Sequence, residues 1–208
     1  MKAYPLGEFE EIVLLISGAY LVYQQITFMK NQDLGVDMEK ILVVNGPRVG
    51  LNTGNLESRI QTFKNKAVSH HSISSVSSTG SVPGKLYNER TEVRKMGEPA
   101  DANQQVNIVN VDVAFPKTYD LRILAGKFFT ETELAGQKQA HIIINEEAVK
   151  VFGLGSVEDA LGEKLTGNGE NAAEIIGVVK NVHWTSLRDT YSPVIFLHNK
   201  WVLISLSK

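Results

Sequence analysis

Five histidines are the side chains best suited to chemistry in this chain, because its 208 residues include no cysteine. Thiolate nucleophiles, disulfides and thiolate zinc sites are thereby excluded together. His70 and His71 are adjacent, which sets them about 100° apart on a helix or on opposite faces of a strand, poor geometry for sharing a metal. His141, His183 and His198 each sit beside a predicted strand with no carboxylate at an established ligand spacing. A structural or surface role is expected for all five. The paired carboxylates are explained without a reaction. Glu146 and Glu147 fall in a predicted first helical turn, where the dipole favours acids, and Thr130 with Glu133 has the spacing of a capping box. No G-x-S-x-G elbow, P-loop or H-E-x-x-H is present. The glycines of FGLGSVEDALG follow a helix rather than a strand and lack the dinucleotide-binding spacing, so they read as a helix stop and a loop.

Two candidates remain for recognition rather than catalysis. Trp184, among Thr185, Ser186, Arg188 and Asp189, is either a docking aromatic with Arg188 beside it or a core ring. Arg122, Lys127 and Arg188 otherwise read as solvated charges. A formal net charge of −2 leaves no basic surplus for phosphates, which argues against nucleic acid as a partner.

Several elements must position these residues. Ile41 to Asn45 reads as a strand stopped by Gly46 and Pro47. Leu56, Ile60, Phe63 and Ala67 recur at helical steps within Leu51 to Val68, which predicts an amphipathic helix with those four facing inward. Ser72 to Gly84 reads as a strand and loop whose serines resemble a short low-complexity run. Asn88 to Met96 and Gln105 to Val113 form a predicted hairpin through Gly97 to Asn103. The shift of phase between Val106, Ile108 and Val109, Val111 calls for a bulge. A helical turn at Ala114 to Tyr119 precedes Leu121 to Phe129. The plainest cassette is the strand Ile142 to Ile144, Asn145 as N-cap, the helix Glu146 to Phe152 and the stop Gly153. Strands at Leu161 to Leu165, Glu174 to Val182, Pro193 to His198 and Trp201 to Leu206 complete a predicted α+β fold, a mixed sheet with amphipathic helices on one face. The chain stops directly after a strand, as expected of a fragment whose sheet continues elsewhere.

Ahead of this domain runs IVLLISGAYLVYQQITFM, Ile12 to Met29. A helix of that length spans about 27 Å, near the roughly 30 Å of a bilayer core. Glu8, Glu10 and Glu11 precede it, and Gln24 and Gln25 interrupt it. The outer part of a transmembrane helix, an amphipathic core helix and an uncleaved signal all fit the run. Tyr20, Tyr23 and Phe28 suit a membrane-surface belt, and Lys30 suits the exit into water. The chain thus divides into a leader, 1–11, of uncertain origin, an apolar helix, 12–30, and a domain, 31–208.

The phrases VYQQITFMKNQDLGVDMEKILVVN, FPKTYDLRILAGKFF, IIINEEAVKVFG, LGEKL and EIIGVVKNVHWTSLRD with PVIFL stand in this order. Together they resemble the extracytoplasmic, or periplasmic core, domain of MacB-like, FtsX-like ABC transporter permeases, in register from about Leu21 onward. The resemblance implies a non-catalytic domain between the first two transmembrane helices of an inner-membrane permease, with Leu21 to Asp33 as emerging helix and stalk. It implies no cofactor in this domain, ATP being bound by a separate subunit or domain, and a second permease protomer as partner. A periplasmic protein or peptide would be the further partner, and the membrane would be engaged through the N-terminal helix. The acidic start and the missing later helices depart from the family and imply a piece of a larger permease. The readings outside the family are a free-standing periplasmic ligand- or protein-binding module and a small soluble hydrolase or transferase.

Overall fold

Short aliphatic runs closed by Asn, Gly or Pro have no room for a helix, so they extend, and their separation along the chain makes most of their pairings long-range. The computed structural model describes residues 6–30, 34–38, 40–45, 56–131, 140–167, 172–185, 190–198 and 203–207. These contain four α-helices: α1 (Leu6–Lys30), α2 (Leu56–Val68), α3 (Phe115–Tyr119) and α4 (Glu146–Val151). The first five strands are β1 (Ile41–Asn45), β2 (Ser75–Thr79), β3 (Glu89–Lys95), β4 (Gln104–Val111) and β5 (Ile123–Gly126). The rest are β6 (Ala140–Asn145), β7 (Lys164–Thr166), β8 (Ala172–Val179), β9 (Val194–His198) and β10 (Leu203–Ser207). The chain forms two units, Met1–Asp33 and Leu34–Lys208.

In the first unit, α1 carries a stretch that is apolar around its circumference. Ile12 to Ile16 advance about 100° per residue and so visit every face, yet all five are between 45% and 74% exposed. A core helix keeps one buried stripe, whereas none of Glu10–Phe28 is buried.

In the second unit the strand order is β1-β10-β2-β4-β3-β7-β8-β6-β9, and β9 returns to pair with β4, while β5 lies on β8. The last six strands of that order therefore close on themselves. Two pairings in the circuit, β4 with β9 and β6 with β8, are parallel, and the others are antiparallel. Successive side chains point to opposite faces of a strand, and here both faces are covered. Val106, Ile142, Ile144, Leu165, Ile175 and Ile195 share one core with Ala148 and Val149 of α4 and with Phe152, which caps it. Val109, Val111, Ile143, Val179, Val194 and Phe196 share a second with Phe115 and Tyr119 of α3. The change of phase along β4 has this cause. The β3–β4 register is continuous from Glu89↔Ile108 to Val93↔Gln104, so the expected bulge is replaced by a strand that serves two cores.

The three strands β1, β10 and β2 form a smaller sheet joined to the circuit through one ladder pair, Thr79↔Val111. Val76 and Leu206 face α2, packing with Ala67. The alternate residues Ser75 and Ser205 face α3, so the two helices cover opposite sides of this sheet. The inward face of α2 also differs from expectation. Phe63 is 42% exposed, and its neighbour Lys64 turns inward to reach Asp112. The side chain of Leu56 and the stretch 51–55 lie outside the described residues.

Candidate functional site

The serine-rich run of β2 would ordinarily suit a solvated loop, yet all of Ser75 to Thr79 is buried. Burial of hydroxyls is tolerated only when each finds a partner. Asp112, directly after β4, supplies the centre of that network. Its Oδ1 accepts from Ser77 Oγ at 2.7 Å and from the Ala114 amide at 3.1 Å. Its Oδ2 accepts from Lys64 Nζ at 2.5 Å, the Ser78 amide at 2.7 Å and Ser78 Oγ at 3.0 Å. The carboxylate thus takes over where the β2–β4 ladder stops and ties β2, α2 and the turn into α3 together. Further along, Ser75 Oγ and Thr118 Oγ1 lie 2.8 Å apart, Tyr119 OH and Ser205 Oγ 2.6 Å apart, and Thr79 Oγ1 donates to Ser81 O and Asn110 O. Asn88 Nδ2 donates to Gly80 O at the end of this seam.

A carboxylate offers about four lone-pair positions, and five donors already converge on Asp112. The arrangement suits a structural acceptor, with no oxygen left to take a proton from a substrate. Among the described residues no buried side-chain nitrogen or oxygen lacks a hydrogen-bond partner.

A second polar junction fixes α4. Asn145 Oδ1 accepts from the amides of Ala148 at 3.1 Å and Val194 at 2.9 Å, and its Nδ2 donates to Ser192 O at 2.9 Å, so this N-cap also joins β6 to the start of β9. Glu146 Oε2 accepts from the Asn181 amide at 2.9 Å, and Asn181 Oδ1 accepts from the Glu147 amide at 3.0 Å.

The histidines do not converge. His70 and His71 stack on each other with centroids 4.6 Å apart, His183 packs at a tilt against Tyr191 at 4.2 Å, and His198 meets the edge of Phe129 at 6.0 Å. His141 pairs in register with Glu174 at the start of β8. His183 follows the far end of that strand, and the strand between them alone spans roughly 17 Å. Among the described residues no group of three His, Asp or Glu could hold a metal.

Trp184 is 2% exposed. Its Nε1 donates to Ser81 Oγ at 3.1 Å, and its ring stacks with Tyr87 at 5.5 Å and Phe115 at 6.4 Å. A ring so enclosed offers no face to a partner, which corrects the docking reading of Trp184 in favour of packing. Arg188 lies outside the described residues. On α1, Tyr20, Tyr23 and Phe28 are exposed, Gln24 Nε2 donates to Tyr20 OH at 2.6 Å, and Thr27 Oγ1 donates to Tyr23 O at 2.9 Å. Lys30 ends the helix, and its side chain lies outside the described residues. Glu133 also lies outside them.

Sequence reasoning missed Asp112, Lys64 and the hydroxyl row. The available signal was a strand-length run of Ser and Thr flanked by apolar residues, which only a buried acceptor could satisfy.

Two tyrosines make this region sensitive to alkali. Burial pushes the Tyr119 phenol up to about 12, opposed by its hydrogen bond with Ser205. Burial also raises Tyr87, opposed by the charge of Arg90. The folded chain therefore holds these protons more tightly than the unfolded one, whose tyrosines titrate near 10. Their contribution is complete below about pH 10 and is lost as pH rises through the folded values. The urea midpoint is expected to fall steadily above about pH 10, with a shallower fall in Tyr119→Phe. A midpoint equal in slope for both proteins over that interval would contradict the assignment.

A closed strand circuit, a flanking three-stranded sheet and buried polar junctions that knit them together define an α+β structural domain. The family of MacB-like periplasmic core domains matches residues 12–206, and the chain belongs to that family. Among solved structures it is similar to the periplasmic region of MacB from Actinobacillus actinomycetemcomitans, with a TM-score of 0.52 at 15% identity over 83% of this chain and 76% of that one. It is similar as well to the extracellular domain of the noncanonic ABC-type transporter YknZ from Gram-positive bacteria, with a TM-score of 0.52 at 16% identity over 82% of this chain and 83% of that one. No curated protein matches the chain. At such identities the structural likeness concerns the fold.

Proposed function

We propose that this chain is the extracytoplasmic part of an ABC transporter permease, a non-catalytic head that couples ATP hydrolysis on a cytoplasmic subunit to conformational change outside the membrane. The observation that carries the reading is the 19-residue stretch Glu10–Phe28 of α1, long and apolar enough to cross a membrane and unburied, at the start of a match to the MacB-like periplasmic core family that begins at residue 12. An apolar helix with no buried stripe is stable in lipid and costly in water. Tyr20, Tyr23, Phe28 and Lys30 then mark the outer membrane-proximal end of the helix, at the level where aromatic and basic residues collect. The membrane is the inner one, and the head stands in the periplasm. A second permease protomer and an ATP-binding subunit are the partners, and a periplasmic protein or peptide is the object of the movement. The head contributes rigidity. Its cores and polar junctions let it move as a body when paired transmembrane helices shift.

The test uses the full permease with its ATPase in lipid. In a permease freed of any cysteine outside this cysteine-free chain, a spin label at Glu98→Cys, an exposed position, reports the head of each protomer. ATP is expected to change the distance between the two labels by roughly 5 Å or more. An unchanged distance during active transport rejects the proposal.

A further inference from the structure

Residues 34–38, ahead of β1, are held far more firmly than a connector needs to be. Residues 34–38 form neither helix nor strand. Even so, Leu34 O accepts from the His183 amide at 3.0 Å, and the Asp37 amide donates to Tyr119 O at 3.0 Å. Val36 and Met38 pack against the core built around Phe115, Tyr119 and Phe196. Gly35 adopts φ +79, and a Cβ there would lie 2.3 Å from Asn181 O and 3.2 Å from Val182 Cα. Main chain therefore rests on main chain, an approach open to glycine alone. The surface it rests on is itself fixed, since Asn181 exchanges two hydrogen bonds with the first turn of α4.

We infer that residues 34–38 are a clamp through which displacement of α1 enters the head, with Gly35 as its positioning residue. The inference rests on the proposed function and names the point of mechanical input within it. A loose connector absorbs movement by extending, up to about 3.5 Å per residue. The clamp withdraws residues 34–38 from that slack. Met38 O accepts from the Ile41 amide at 3.3 Å and so ties the segment to β1, while Leu34 and Gly35 tie it to residues 181–183 beyond β8 and Asp37 ties it to the end of α3. The core that Val36 and Met38 join includes residues of β4, β6, β8 and β9, so a pull at Leu34 reaches the circuit as well as β1.

The experiment follows two label positions in the full permease, Gln25→Cys on α1 and Glu98→Cys on the head, each with and without ATP. With the clamp intact both distances are expected to change. In Gly35→Ala the change on α1 is expected to persist, while the change on the head falls to less than about a third. Val36→Ser combined with Met38→Ser loosens the same segment without steric strain and serves where Gly35→Ala does not fold. A head that moves as far in these variants as in the unsubstituted permease overturns the clamp and leaves the proposed function standing. A head that is still in the unsubstituted permease overturns both.

Discussion

Asp112→Ala is expected to lower the unfolding free energy by about 3–5 kcal/mol, because it removes the acceptor of five donors at once. Lys64 and Asp112 side chains are only 15% and 11% exposed, so the ammonium left behind cannot recover full hydration without leaving its place. Ser77 is fully enclosed and the Ser78 amide has no partner on β4, since the β2–β4 pairing consists of Thr79↔Val111 alone. Lys64→Met is expected to cost less, about 1–2 kcal/mol, because the carboxylate keeps four uncharged donors and the methionine stem still covers the sheet. Urea unfolding of the two single variants and the double variant, followed by circular dichroism, separates the pair from its surroundings. Should Asp112→Ala cost less than about 1 kcal/mol, the carboxylate is not the keystone of the seam.

Gly177→Ala comes next in expected size, a loss of about 3 kcal/mol or outright failure to fold. Gly177 lies in β8, paired with Ile143 of β6 on one side and Gly126 of β5 on the other. An added Cβ would stand 2.2 Å from Lys127 O and 3.1 Å from Lys127 C. Both are backbone atoms and cannot rotate aside, so β5 would have to lift off β8 and surrender the bond from the Lys127 amide to Ile176 O, 3.0 Å long. Gly153→Ala isolates the other role of glycine. Gly153 has φ +59, but nothing lies within 4 Å of its missing Cβ, so only the left-handed conformation is penalised, at about 1 kcal/mol. Equal losses in the two variants, measured by denaturant titration, would show that close approach is not what Gly177 provides.

The legible features of this chain are the local ones. Asn145 could be read as an N-cap because the cap, the acids after it and the strand before it are contiguous, and its side chain accepts the Ala148 amide as that pattern requires. Strands β1 and β9 could be read because a short aliphatic run bounded by breakers has few alternatives. Family resemblance was legible for the same reason, several phrases each intact in one stretch. Long-range closure was not. Nothing near Asn107 announces that residues 107–111 lie parallel to residues 194–198, and the doubly buried β4 therefore resembled a strand with a slipped phase. The α2 face was misjudged by one residue because periodicity ranks Phe63 above Lys64, whereas a buried carboxylate on another element reverses that ranking. Gly35 looked like ordinary connector glycine; its need appears only when Asn181 is seen against it.

The smaller sheet imposes an order on biosynthesis. Strands β1 and β2 do not pair with each other; β10 lies between them, with Ile41 opposite Ser207 and Ser207 opposite Ser75. Among the described strands β10 comes last, so β1 waits for it and β2 has until then only its single pair with β4, whereas the circuit has all its members once β9 has emerged. Closing so distant a pairing is entropically slow, and in the interval the aliphatic Ile41–Asn45 stays available to any neighbouring chain. A newly made chain thus passes through a stage with its ring shut and its first strand unmated, the stage at which a holding chaperone has most to protect.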